Sequence, residues 1–259
     1  MLKFVHISDT HLGSTPDYTL HGRNTYNHAR ALVRHLNDRL PFAPDFVLHT
    51  GDITNYFEDE AGQLAAQVFT ELKYPIYYVV GNHDSPALMR RFLLQQAGGN
   101  EPLYYDFTVQ GFHFLVLDTR GKVDPQGYVP EEQLEWLQKK CASSSARSLC
   151  LVVHHLPLQT GNTWYDRDMR IMNEAALFDV LKPYQPRLRG VFCGHIHRPY
   201  SGYRDGILCS AAPSAAFQFY AWPDMARSEI DDVVPGGYSI VTMTHEQTIV
   251  AHHFIQSEV

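Results

Sequence analysis

The stretch KFVHISDTHLG, residues 3–13, decides the fold. Lys3–Ser8 is a short run of β-branched and aromatic side chains, the composition of a buried strand. It runs into Asp9-Thr10-His11, two ligand-type residues at i and i+2 that an extended backbone places on one side. The same grammar returns along the chain. Asp45–Thr50 leads into Gly51-Asp52 and Pro75–Val80 into Gly81-Asn82-His83-Asp84. Ser148–His154 reaches the pair His154-His155, and Leu188–Cys193 reaches Gly194-His195-Ile196-His197. Ligand-type residues where strands stop fit an α/β sheet, whose sites form beyond the carboxyl ends of its strands. Neighbouring glycines let the backbone turn sharply and approach a ligand.

Amphipathic stretches separate these runs. Ala29, Leu32, Val33, Leu36 and Leu40 mark one helical face, and Ala61, Leu64, Ala65, Val68 and Leu72 a second. Pro130-Glu131-Glu132 opens a third helix and Asn173–Leu181 predicts a fourth. Leu103–Val109 and Phe112–Asp118 are further strands. This alternation implies a parallel or mixed sheet with helices outside. After Cys193 the texture changes: Tyr200–Tyr203, Ile207–Ala211, Gly237–Thr244 and Thr248–Ile255 read as strands joined by turns. With no repeat, low-complexity tract or charged linker, residues 1–259 are expected to form one domain with two packed sheets. A chain of 259 residues can bury a core without staples.

Lys plus Arg number 21 and Asp plus Glu 28, a net charge of −7 with histidine neutral. That balance speaks against a nucleic-acid polymer as partner, while metal cations could still draw in a small anion. The apolar stretch before Asp9 is too short for a signal peptide, and no later run is long enough for a membrane span. A cytoplasmic protein without a membrane partner is expected. Cys141, Cys150, Cys193 and Cys209 are scattered, which predicts buried reduced thiols rather than disulfides or a zinc site.

Singly, the ligand motifs have ordinary readings: D-x-H as a cap or surface pair, Gly-Asp and GNHD as turns. GHxH is stronger, and the ordered ensemble is specific. Asp9, His11, Asp52, Asn82, His154, His195 and His197 offer oxygen and nitrogen without thiolate, a mixture suited to manganese, iron or zinc. Their number supports two ions, and a shared carboxylate, Asp52, would hold them at the short separation of two-metal hydrolases.

This ordered set resembles the calcineurin-like metallophosphoesterase superfamily, above all its bacterial class III cyclic-nucleotide phosphodiesterases and their glycerophosphodiesterase relatives. Gly22-Arg23-Asn24-Thr25, the run His154–Asp166 and the run Pro213–Phe219 resemble the same subgroup, so the likeness covers Leu2 to Phe219. The resemblance implies an α/β fold, a four-layer α/β/β/α sandwich with two mixed β-sheets. It implies that Asp9, His11 and His197 hold one metal, that Asn82, His154 and His195 hold the other, and that Asp52 and a hydroxide bridge them. His83 would face the scissile phosphate as proton donor or charge stabiliser, with Asp84 orienting its ring. Asn82 and Asn24 would approach substrate, Asn24 being otherwise a helix N-cap. His154 is the expected ligand of its pair, since the family usually uses the first histidine. His155 beside it either contacts substrate or supports a ligand. The chain departs from the pattern at His154-His155-Leu156-Pro157, where many relatives read HHPP or HHHP. It also has Phe217 where some glycerophosphodiesterase relatives carry histidine, which leaves room for a stacked base.

The expected function is a two-metal phosphodiesterase that hydrolyses small phosphodiesters, 3′,5′-cyclic nucleotides first, by in-line attack of a metal-bound hydroxide. Alternatives are a glycerophosphodiesterase, a broad-specificity phosphomonoesterase or a nuclease of the same superfamily. A non-catalytic scaffold is the reading from another class, yet here every ligand position is filled. A homodimer is the oligomer the resemblance suggests. Among the other histidines, His6 and His113 should be satisfied by local hydrogen bonds, and His28 and His35 should form a solvated stripe. His49 is a candidate support for the site, and His245, His252 and His253 should decorate the terminal strands. The segment from Phe217 to Val234 reads either as a core-covering loop or as a pocket rim or dimer contact.

Overall fold

Alternation along the first strand sets the layering. The computed structural model describes residues 1–255, and its main strands are, in chain order, β1 (Leu2–Ile7), β2 (Phe46–His49), β3 (Ile76–Tyr78), β4 (Tyr105–Val109), β5 (Phe112–Val116), β6 (Ser148–Val152), β7 (Leu188–Cys193), β8 (Tyr200–Arg204), β9 (Ile207–Ala211), β10 (Gly237–Met243) and β11 (Thr248–Phe254). Its principal helices are α1 (Thr25–Asp38), α2 (Asp59–Phe69), α3 (Glu131–Ser143) and α4 (Glu174–Leu181). Leu2 and Phe4 of β1 share a buried cluster with Phe46, Leu48, Phe114, Val152 and Phe192. Val5 and Ile7, on the opposite face, belong to a second cluster with Leu32, Val33, Leu36, Ala65 and Val68. A strand buried on both faces lies in a middle layer.

One sheet has the order β11-β10-β1-β2-β3, the other β8-β9-β7-β6-β5-β4. In the first, β1, β2 and β3 run parallel while β10 and β11 are antiparallel additions. In the second, β5, β6, β7 and β9 run parallel, and β4 and β8 are antiparallel edges. The helices α1 and α2 cover the outside of the first sheet. A third apolar cluster joins the second sheet to α3 and α4 through Leu134, Leu137, Leu177 and Phe178. This is the expected α/β/β/α sandwich with two mixed sheets. Its middle is aromatic: Phe4 stacks on Phe46 with ring centroids 4.8 Å apart, and Phe107 stacks on Phe114 at 4.9 Å.

The expected strands and helices are all present. The short helical segments Pro86–Leu93, Tyr165–Met169 and Lys182–Arg187 were not foreseen, since a turn or two of helix leaves no period to read. All four cysteines are free and buried. His6 meets Thr50 Oγ1 at 2.9 Å, and His113 lies between Asp106 and Ser144, as local satisfaction required. The stripe of His28 and His35 is not a solvated one. Both are half-buried, and His35 Nε2 sits 3.0 Å from the Tyr238 hydroxyl, because that face of α1 packs towards β10.

The segment 217–234 folds back as a two-stranded ribbon, with Gln218–Phe219 paired to Ile230–Asp231. Its tip docks on the 161–164 loop, where Met225 O accepts from Trp164 N and Gly161 O from Asp224 N. Arg198 donates to Asp231 at 2.6 Å and fixes the base of the ribbon.

Candidate metal centre

Backbone pairing continues past the strand ends and fixes the ligand loops before any side chain acts. Asp9 N donates to Gly51 O, His11 N to Asp52 O and Leu12 N to Ile53 O, at 2.9 to 3.0 Å. On the other sheet Gly194 N donates to His154 O at 2.9 Å. Two of the bonds that tie the sheets together lie at the ligand loops: His195 N donates to Asp9 Oδ2 at 3.0 Å, and His154 Nδ1 to Thr50 O at 2.7 Å. In this frame Asp9, His11, Asp52, His195 and His197 all have left-handed backbone, with φ between 46° and 71°. Such conformations cost about 1–3 kcal/mol each outside glycine and persist only where the surroundings impose them.

The side chains form two buried groups. Asp9, His11, Asp52 and His197 bring one ligand atom each within 4.8 Å of one another, and so do His154, His155 and His195. In the first group His11 Nε2 lies 3.0 Å from His197 Nε2, and His197 Nε2 3.5 Å from Asp9 Oδ1. In the second His154 Nε2 lies 3.1 Å from both His195 Nδ1 and Asn82 Oδ1. Asp52 spans them, with Oδ2 at 3.6 Å from His11 Nε2 and Oδ1 at 3.4 Å from His154 Nε2.

The outer nitrogens of three imidazoles are already spoken for. Nδ1 of His11 meets Asn55 Oδ1 at 3.0 Å, that of His197 meets Phe217 O at 3.2 Å, and that of His154 meets Thr50 O. A ring whose Nδ1–H donates to an oxygen turns an Nε2 lone pair inward, which is how a metal-binding histidine is held. Asp9 Oδ1 and His195 Nε2 are buried without a hydrogen-bond partner. A buried acceptor left unpaired costs about 1–3 kcal/mol, more for a charged group, and a cation in the first group would satisfy Asp9 Oδ1. The donor set therefore fits a pair of metal ions.

Electrostatics agree. Burial pushes His11 down to about 4, and burial with neighbouring imidazoles holds His195 and His197 well below the ordinary histidine value. Burial, reinforced by the charge of Asp52, raises Asp9 to about 7. Burial would also lower His154, but the Asp52 carboxylate overrides it and lifts His154 to about 9. Asp52 in turn sits well below the carboxylate range, because His154 outweighs the cost of its burial. Buried carboxylates whose charge is met mainly by one neighbouring histidine form a receptor for cations.

Of the residues expected to act around these ligands, His83 lies beside the first group. It is half-buried, its ring centroid lies 5.0 Å from that of His11, and its backbone N donates to Asp52 Oδ1 at 2.9 Å. The expectation for Asp84 is corrected, and the contacts of Asn24, His155 and Phe217 bear on theirs. Asp84 does not orient the His83 ring: its buried carboxylate accepts from the backbone N of Ile53, Thr54 and Gly81, while His83 Nδ1 lies 3.2 Å from Asn55 O. Asp84 thus anchors the Asp52 loop. Asn24 caps α1 by accepting from Asn27 N, and its amide donates to Pro16 O, which is the helix N-cap reading. His155 is fully buried, with Nδ1 at 2.8 Å from Thr119 Oγ1, its ring against that of His195 and its Nε2 without a hydrogen-bond partner, so it lies within the second group of ligand-type side chains. Phe217 is buried too, its centroid 4.3 Å from that of His197, which leaves no free face for a base.

His49, flagged as a candidate support, meets Thr10 Oγ1 between the first two ligands at 3.0 Å. Asn55 was missed. It grips His11 and His83 and donates to the Tyr18 hydroxyl, and the one signal for it was a polar residue three positions after Asp52. Among the described residues no helix is long and apolar enough to cross a membrane.

Known proteins resemble this chain in sequence and fold. The chain is 30% identical over 235 residues to the 3′,5′-cyclic adenosine monophosphate phosphodiesterase CpdA of Escherichia coli strain K12, covering 91% of this chain and 83% of that one. It is 26% identical over 252 residues to a probable glycerophosphodiester phosphodiesterase GpdQ of Arcobacter nitrofigilis, covering 96% and 91%. The fold matches that of a dimetal phosphatase from Danio rerio with a TM-score of 0.67 at 15% identity, over 96% of this chain and 98% of that one. The family model of the calcineurin-like phosphoesterases matches residues 2–199, a span that holds every side chain of both ligand groups, and the chain belongs to that family.

Proposed function

We propose that this chain, as one domain, is a two-metal phosphodiesterase whose substrates are small diesters, 3′,5′-cyclic nucleotides first. The observation that carries the reading is Asp52, with one carboxylate oxygen towards each group of ligands. Asp9, His11 and His197 would hold one cation, Asn82, His154 and His195 the other, and Asp52 would serve both. When bound, manganese, iron or zinc ions supply Lewis acidity and bring the pKa of a coordinated water towards neutrality. His83, held through Nδ1 by the Asn55 carbonyl, presents Nε2 to the substrate and protonates the departing alkoxide, help worth about 10²–10⁴-fold. Asp84 keeps the Asp52 loop and the turn before His83 in register, so acid and bridge stay at a fixed separation. The similarity to CpdA supports the cyclic nucleotide, and that to GpdQ makes a glycerophosphodiester the second substrate to try. Four unpaired cysteines support the cytoplasm as the compartment.

The test is initial rates on 3′,5′-cyclic AMP, glycerophosphocholine, bis(p-nitrophenyl) phosphate and p-nitrophenyl phosphate, before and after manganese loading of stripped protein. The expected result is metal-dependent cleavage of cyclic AMP and of the activated diester, well above the monoester. Turnover of glycerophosphocholine but not cyclic AMP moves the substrate to the second reading. Loaded protein that cleaves none of them refutes the enzyme.

A further inference from the structure

Asn82 is the weakest member of the ligand set by chemistry, because its two amide ends are nearly the same size and only the oxygen can hold a cation. The structure places a holder on the other end. Asn82 Nδ2 donates to Asp124 Oδ1 at 3.0 Å, while Asn82 Oδ1 lies 3.1 Å from His154 Nε2 on the metal side. A carboxylate is acceptor-only, so it can pair with the NH₂ end alone, and a rotated amide would set two oxygens against each other.

The loop that carries Asp124 is itself fixed. Gln126 N donates to Val123 O across the tip, and Tyr128 N donates to Thr119 O at the base. Gly127 N donates to Arg170 O and Gly127 O accepts from Met172 N, which straps the loop to the following segment. Gly127 also packs so closely on His155 that an added Cβ would stand 2.6 Å from its ring. Asp124 is thereby held over Asn82 from a loop that none of the ligand motifs includes.

We infer that Asp124 is a positioning residue that commits the Asn82 amide to oxygen-inward and so builds the second cation site. The inference rests on the two-metal reading above. Outer partners of metal ligands typically change affinity by about 10–100-fold when removed.

The test is manganese binding by calorimetry to stripped wild type, Asp124→Ala and Asp124→Asn, with thermal midpoints measured alongside. Wild type should take up two manganese ions. Asp124→Ala should keep the tighter site and lose about 10–100-fold at the other, with an unchanged metal-free midpoint, since Asp124 is exposed. Asp124→Asn keeps an acceptor oxygen and should recover most of that affinity. Wild-type binding in Asp124→Ala overturns the inference, as does an equal loss in both variants, which would make charge and not amide orientation the cause. A lowered midpoint in Asp124→Ala with loss at both sites would mean a structural role and also overturns it. Failure of wild type to bind two ions would instead remove the two-metal reading on which the inference stands.

Discussion

Replacing Gly81 with alanine adds a single methyl group where the structure has no room for it. The new Cβ would stand 2.1 Å from Asp52 Oδ1 and 2.2 Å from Asp52 N. Ordinary contact begins near 3.4 Å, so these groups must part by about 1.3 Å, the difference between the two distances. One of the obstructing atoms is backbone, and the carboxylate oxygen already accepts from His83 N and faces His154, so relief moves bridge and acid together. Overpacking of this kind costs about 1–3 kcal/mol of stability. A displacement of about 1 Å at a reacting centre costs on the order of 10²-fold in rate. Gly81→Ala should therefore reduce kcat/KM on bis(p-nitrophenyl) phosphate by about 10²-fold with manganese in excess, in protein that circular dichroism shows to be folded. The control is Gly111→Ala, in the turn between β4 and β5, where φ is +80° and nothing lies within 4 Å of the added atom. Strain there should cost about 1–2 kcal/mol and leave the rate per folded molecule unchanged. If Gly81→Ala turned over within threefold of wild type, the tight seat of Asp52 would not be what organises the site.

Asp52→Asn removes the carboxylate charge shared by both groups and should abolish metal-dependent turnover; wild-type rates would end the bridging assignment. His83→Ala should slow cyclic AMP, a poor leaving group, by about 10²–10⁴-fold and the p-nitrophenyl diester much less, whereas equal losses would exclude a proton donor. Acid should destabilise the metal-free protein through His6 and His49, whose burial holds each at about 3 against 6.5. Between those values the unfolded chain binds more protons, so this stability is complete above pH 6.5 and declines as pH falls, by about 2 kcal/mol per ring at pH 5. Urea midpoints at pH 7, 6 and 5 measure it, and a flat series would show that the rings are not kept neutral by burial. Phe4→Ala opens the stacked middle of the sandwich and should cost about 3–5 kcal/mol in urea without altering manganese stoichiometry.

The clusters of ligand-type side chains and the sandwich were legible because their signals are local. A buried strand that ends in Asp9-Thr10-His11 or in His195-Ile196-His197 announces both the sheet and the site in one run of residues. What was not legible depends on which atom reaches which. Asp84 follows His83 directly, so orientation of the neighbouring ring was the natural reading, yet its carboxylate turns to backbone groups of Ile53, Thr54 and Gly81. Asn55 and Asp124 meet His11 and Asn82 across 44 and 42 residues of sequence, distances over which no pattern can be read from one chain. The His28 and His35 stripe failed for a related reason: its spacing shows a shared face, and only the fold shows what that face meets.

The glycines of the motifs show how the two sheets make one centre. Gly-Asp at residues 51–52 invites the reading of a turn. In the fold, a Cβ on Gly51 would lie 2.5 Å from His154 Nδ1, and one on Gly194 would lie 1.8 Å from Ser8 Oγ. Both are points where one sheet's strand end meets the other's. Asp9, His11, Asp52 and Asn82 follow strands of the first sheet, and His154, His195 and His197 follow strands of the second. Neither half has enough ligands for a closed pair of sites, and Asp52 can face both groups only while the sheets stay in contact at that edge. The aromatic middle of the sandwich sets that contact, and the missing side chains at Gly51 and Gly194 let it close. Cations bound here would then favour the assembled sandwich over any state in which the sheets part, because only the assembled state presents the whole ligand set.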